Sequence, residues 1–138
     1  MAVKLSTSTK NSLDEEIFEY DSIAREIALR KLELETEREH DDNVGGGRNS
    51  IISKPVESIV LKYSDDPRIQ YLEKLRSDVE KCYSGLTREQ KTIFEMRWIL
   101  NESNTWEEIA GKMHFSVKSI YRKREKILEK YAIVKGKM

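Results

Sequence analysis

Three consecutive glycines, Gly45, Gly46 and Gly47, divide this chain, and no helix runs through such a triplet at reasonable cost. On both sides the apolar residues recur at helical spacing. No stretch shows the strict alternation of a half-buried strand, and no repeat appears at a fixed period. The chain is therefore expected to be all-α, with residues 1–44 as an N-terminal helical arm, 45–55 as a glycine-rich linker, and 56–138 as a helical domain.

Composition sharpens this outline. The chain has 138 residues, of which 38% are hydrophobic, 36% charged and 8% aromatic. That is a lean core under a heavily charged surface, as in helical proteins rich in Glu, Lys, Leu and Ile. No apolar run approaches the roughly 20 residues a membrane-spanning helix needs. The opening "MAVKLSTSTKNSLDEE" lacks the apolar stretch of a secretory signal, so a cytoplasmic location is expected. A single cysteine, Cys82, excludes an internal disulfide framework and a cysteine-based zinc finger. The neutral total hides a gradient. Residues 1–44 hold 12 acids and 6 bases, a balance of −6; residues 45–104 hold 9 and 10, +1; residues 105–138 hold 4 and 9, +5. A basic tail of this kind suits a phosphate backbone, which an acidic head would avoid.

The pattern predicts a first helix over Leu13–Glu39, after about ten polar residues without periodicity. Ser12 and Glu15 are set for a capping box, and Ile17, Tyr20, Ala24, Ile27 and Leu34 fall on one stripe. That stripe needs a partner, either the same chain or a second copy. Beyond the glycines, Val56, Ile59, Val60 and Tyr63 mark a short amphipathic helix. A firmer helix follows, with Asp66 as cap, Pro67 at its first position, Gly85 at its end, and Ile69, Leu72, Leu75, Val79 and Cys82 as its buried stripe. Cys82 on that stripe reads as a small core residue. Thr87 with Gln90 opens the next helix, which carries Ile93, Phe94, Arg97 and Leu100, with Met96 and Trp98 adding apolar area.

The last part of the chain carries the candidate site. Thr105 and Glu108 cap a two-turn helix through Lys112, "MHF" makes a bend, and Ser116 caps a final helix to about Tyr131. This is the layout of a helix-turn-helix, here at 105–131. The small Ala110 stands where two backbones come close, and Ile109, Met113, Phe115 and Ile120 lock the pair. In such units the second helix enters the major groove of DNA with its N-terminal end leading. The groove-facing positions are then Ser116, Val117, Lys118, Tyr121, Arg122 and Glu125, with Ser119 beside them. Lys118 and Arg122, four apart, can donate to guanine O6 and N7, and Val117 can meet a thymine methyl. Lys112, Lys123, Lys126 and Lys130 suit backbone phosphates better than base edges. The competing reading is a solvated basic face in an ordinary helical bundle.

The segment "TWEEIAGKMHFSVKSIYRKREKILEKY" resembles the C-terminal helix-turn-helix of sigma-70 region 4. The combination of "NVGGGRNSIISKPVE" with a later "SIYRKR" resembles the RinA-type phage transcriptional regulators, related to the ArpU group, over nearly the whole chain from about Asp14. That resemblance implies a sequence-specific activator of phage late genes, encoded by a phage or prophage and acting in a bacterial host. One position departs: the general pattern puts an apolar residue three after Ile120, and here it is Lys123. The helix can rotate so that Tyr121 or Arg124 partly covers the seam, which leaves open which of Tyr121, Arg122 and Arg124 faces the bases.

The partners expected on this reading are double-stranded DNA, and, for the acidic N-terminal helix, either a second copy in a homodimer or the host RNA polymerase. Arg48, behind its glycines, is a candidate for a narrow A·T-rich minor groove, against a plain flexible linker. His40 and His114 show no metal spacing, and Trp98 and Trp106 read as packing rather than base-stacking residues. No cofactor or metal is expected. Nor is an enzyme: "GGGRNS" lacks the lysine and the preceding strand of a phosphate-cradling loop, and no nucleophile stands beside a plausible base in a recognisable signature. The alternative within DNA binding is a packaging protein of the small-terminase kind, which a ring-sized mass in solution would favour.

Overall fold

The computed structural model describes residues 4–44, 62–99 and 104–138. The chain is all-α, and among the described residues there is no strand. The elements are α1 (Thr7–Phe18), α2 (Tyr20–Val44), α3 (Pro67–Ser84), α4 (Arg88–Phe94), a π-helical turn (Glu95–Ile99), α5 (Trp106–Met113) and α6 (Val117–Val134). The chain divides into two compact units, Met1–Asp21 with Leu75–Met138, and Ser22–Lys74. The divisions thus fall inside α2 and α3. The glycine-rich linker at 45–55, with Arg48, and the apolar residues Val56, Ile59 and Val60 lie outside the described residues, as does Leu100.

In the first unit α1 begins at Thr7, capped by the Ser6 hydroxyl, which accepts the Thr9 N–H at 3.1 Å. The expected cap at Ser12 is corrected: Ser12 lies inside α1, and residues 7–10, in the stretch expected to lack periodicity, are already helical. Starting early lets Leu5 bury before the cap and lets Lys10 and Asn11 reach the last helix. The single helix expected over 13–39 is also corrected, because it breaks at Glu19 into α1 and α2. Buried Ile17 and buried Ile23 lie on either side of the break, one in the core of each unit.

The core of this unit holds Leu13, Ile17, Ile93, Phe94, Trp98, Ile109, Ile120, Ile127 and Tyr131, all with almost no exposure. Burying each large apolar side chain contributes about 1.5–3 kcal/mol. Aromatic rings form its centre: Trp98 meets Phe94 at 4.9 Å, Trp106 at 5.6 Å and Phe18 at 6.5 Å between centroids. The π turn aims Trp98 inward, where its indole N–H donates to Asp14 Oδ1 at 2.9 Å. Trp98 and Trp106 are therefore packing residues. Cys82 is buried in α3, and burial pushes its thiol up to about 11, so it is a core residue rather than a reactive one.

In the second unit α2 buries Ile23, Ile27 and Leu34, while the N-terminal part of α3 buries Ile69 and Leu72. Ala24 is exposed, contrary to its place on the expected stripe. Asp66 caps α3 as expected: its Oδ2 accepts the Ile69 N–H at 3.0 Å. The same carboxylate takes a forked ion pair from Arg30, with Nη2 to Oδ1 at 2.7 Å and Nε to Oδ2 at 3.0 Å. Arg68 pairs with Glu26 at 3.3 Å, and Tyr63 donates to Glu35.

Candidate nucleic-acid interface

Local chemistry sets the geometry of the last two helices. The Thr105 hydroxyl accepts the Glu108 N–H at 3.1 Å, and the Glu108 carboxylate accepts the Thr105 N–H at 3.1 Å, a complete capping box at the start of α5. Backbone donation to that carboxylate holds it below its ordinary range. At the other end of α5 the Phe115 N–H reaches the Ala110 carbonyl at 2.8 Å and the His114 N–H reaches the Gly111 carbonyl at 3.3 Å. His114 sits at φ 61°, ψ 38°, the left-handed residue of a Schellman motif. Ser116 then caps α6, accepting the Ser119 N–H at 3.1 Å. Ala110, Ile109 and Ile120 are buried where α5 packs on α6. The expected bend and caps are all present, and α6 runs to Val134, one turn further than expected.

The side chains of α6 fall into two groups. Val117, Lys118, Arg122 and Lys126 are exposed, and the three cations make no hydrogen bond or ion pair among the described residues. Their spacing of four places them along one face. The second group is tied to other elements of the same unit. Lys123 pairs with Glu89 at 2.7 Å and lies over the Phe115 ring at 4.6 Å. This accounts for a lysine at the seam position, where an apolar residue was expected: its ammonium lies over the Phe115 ring and reaches Glu89 of α4. Arg124, with 14% of its side chain exposed, pairs with Asp14 at 3.3 Å and stacks over Trp106 at 5.7 Å. Glu125 accepts from Lys10 at 3.5 Å. Lys130 donates to Gln90 at 2.9 Å, and Lys135 pairs with Glu16. Lys112 donates to Asn104 Oδ1 at 3.0 Å.

Of the three residues left open by sequence, Arg122 faces outward and Arg124 inward. Tyr121 stands between, 40% exposed, with its hydroxyl donating to Glu107 Oε1 at 2.9 Å. That bond, followed by partial burial, raises the Tyr121 hydroxyl above its ordinary value. Glu107 is lowered, first by a backbone N–H at the start of α5 and then by the Tyr121 hydroxyl. Ser116 is exposed but its oxygen serves the cap, and Ser119 is half-buried. Arg48 lies outside the described residues.

Sequence reasoning missed the acids that set this division: Asp14, Glu89 and Glu107. Their partners stand 110, 34 and 14 residues away, so no local pattern announces them. Among the described residues no group of three or more His, Cys, Asp or Glu is placed to hold a metal ion. No helix of the described residues is long and apolar enough to cross a membrane.

A search of curated proteins and a search of solved structures return no match for this chain. One family model, described as "Protein of unknown function (DUF722)", matches residues 10–133, which takes in every helix from within α1 to α6. The chain belongs to the DUF722 family.

Proposed function

We propose that this protein binds double-stranded DNA in a sequence-specific manner, presenting the N-terminal half of α6 to the major groove, and that it regulates transcription. The observation that carries this is the sorting of charge on α6. Lys123 and Arg124 are neutralised by Glu89 and Asp14, whereas Lys118, Arg122 and Lys126 are left on one exposed face without internal partners among the described residues. Exposed cations without a partner among the described residues also occur elsewhere, as at Arg25, Lys81 and Arg88, but on α6 three of them share one face at spacings of four. The Ser116 cap leaves the first N–H groups of α6 pointing out of the helix end, which suits a phosphate. Val117, 47% exposed beside them, offers an apolar contact for a thymine methyl.

The resemblance to RinA-type regulators extends this proposal to activation of phage late genes in the cytoplasm of a bacterial host. A duplex selected from a random pool supplies the ligand for the test. Lys118→Ala and Arg122→Ala are each expected to weaken it by about 1–3 kcal/mol in fluorescence anisotropy. Unchanged affinity in both variants defeats the assignment of α6. Mass in solution separates a monomer or dimer, expected of a regulator, from the ring of a packaging protein.

A further inference from the structure

A cavity of about 230 Å³ is bounded by the first residue of α2, the C-terminal half of α3, the end of α4 and the π turn. Val79, Phe94 and Ile99 give it an apolar floor, and Tyr20 and Tyr83 wall it. The π turn is part of the construction. Phe94 and Ile99 are five residues apart, and an i to i+5 turn stacks such residues on one side, where an α-helix would separate them. The Tyr83 ring adds an aromatic wall, tilted against Phe94 at 5.4 Å.

Among the described residues, the charged groups in this lining are two carboxylates. Glu80 Oε2 accepts the Tyr20 hydroxyl at 2.8 Å, and Glu95 Oε1 accepts the Tyr83 hydroxyl at 2.7 Å. Each hydrogen bond fixes its carboxylate at the rim and engages one oxygen. The other oxygen of each has no partner among the described residues. Lys91 stands over the Tyr83 ring at 5.2 Å but does not line the cavity.

We infer that this cavity is a binding site for a small organic cation with an apolar or aromatic body, of the arylalkylamine class. Size and charge both select that class. An apolar protein cavity of about 150 Å³ holds a benzene molecule, so the space here takes an aromatic ring with a short alkyl chain. The ring packs between Tyr83, Phe94 and Ile99. The ammonium reaches the rim, where it meets the free carboxylate oxygens of Glu80 and Glu95. An anion of the same shape meets the same two carboxylates and is repelled. The site stands independently of DNA binding by α6.

The probe is 2-phenylethylamine, titrated into the full chain with amide shifts followed by heteronuclear NMR. Saturable shifts are expected at Val79, Phe94 and Ile99. Phenylacetate, with the same body and opposite charge, is expected to bind at least about tenfold more weakly, as is ethylammonium, which keeps the charge without the body. Val79→Trp fills the cavity and is expected to abolish the shifts. Should that variant not fold, the double variant Glu80→Gln with Glu95→Gln decides, since each glutamine still accepts from its tyrosine. It is expected to lose at least about tenfold in affinity for 2-phenylethylamine. No saturable shift at those amides, equal binding of phenylacetate or ethylammonium, or full affinity in the double variant each overturns the inference.

Discussion

Asp14 is the residue on which most of the first unit's polar interior depends. It is 5% exposed, and its two oxygens accept from Trp98 Nε1 at 2.9 Å, Arg97 Nη2 at 3.4 Å and Arg124 Nη2 at 3.3 Å. The Nε atoms of Arg97 and Arg124 are buried without an acceptor among the described residues, so Asp14 is the main compensation these two guanidiniums have inside the fold. Asn104 adds a second acceptor for Arg97, its carbonyl oxygen at 2.9 Å. Removing one partner of a buried pair leaves an uncompensated charge, which costs about 3–5 kcal/mol. Arg97 and Arg124 keep 18% and 14% of their side-chain exposure, so some solvent screening remains. Asp14→Ala is therefore expected to lose about 3 kcal/mol in urea denaturation, at the low end of that range. Asp14→Asn, which can still accept from Trp98 but carries no charge, is expected to lose nearly as much. A clearly smaller loss in the Asn variant would show that the indole bond, not the charge, matters. A smaller effect belongs to Thr105, whose hydroxyl caps α5: Thr105→Ala is expected to cost about 1 kcal/mol by the same assay.

Two helix ends use one motif with different residues at its left-handed position. At the end of α6, Gly136 at φ 80° lets the Lys137 N–H reach the Ala132 carbonyl at 2.8 Å. At the end of α5 the equivalent place is His114, whose Cβ is strained there. His114 is exposed, so its side chain adds little packing to offset that strain. His114→Gly is expected to raise stability by about 0.5–1 kcal/mol, the relief of strain exceeding the extra freedom glycine gives the unfolded chain. An unchanged or lowered melting midpoint would contradict this. In the second unit one link between α2 and the start of α3 is the Arg30 fork on Asp66. The fork, then the Ile69 N–H, outweigh burial and hold this carboxyl below its ordinary range. A carboxyl with a lowered folded value stabilises above its unfolded value, near about 3.9, and that contribution is lost as pH falls through the folded value. Stability is thus expected to fall with acid below about pH 4. Asp66→Asn is expected to flatten this segment of the pH profile while preserving the cap, because asparagine caps about as well as aspartate. Asp66→Ala loses both cap and fork, and an Asn variant with the native acid profile would rule out this pair as its source.

Across the whole molecule, what was legible in the sequence was what is local. Thr87 with Gln90, Thr105 with Glu108, and Ser116 are caps completed within three residues, and the stripe from Ile69 to Cys82 is a periodicity of one helix. The break at Glu19 and the π turn at Glu95–Ile99 were not legible. The π turn answers to a distant partner, since it points Trp98 at Asp14, and a periodicity template assumes neither a break nor a π turn. The candidate site was legible as a set of cations but not as a division among them, since the acids that pair with Lys123 and Arg124 come from α4 and α1. That division leads to a last expected outcome. The chain is neutral overall, with a pI near 6.8, so it offers no general attraction for DNA and any salt dependence must come from a few unpaired cations. Each phosphate neutralised adds about 0.9 to the slope of log K against log salt. On the proposed DNA-binding reading, Lys126→Ala is expected to reduce that slope by about 0.9 with sequence preference unchanged. Arg122→Ala is expected to relax preference at one base pair. Lys123→Ala removes the same formal charge as Lys126→Ala. Its ammonium is already held by Glu89, so its slope is expected to stay at the native value. Net charge alone cannot separate these two lysines, so equal slopes for the two variants would mean that internal pairing does not select the cations that meet DNA.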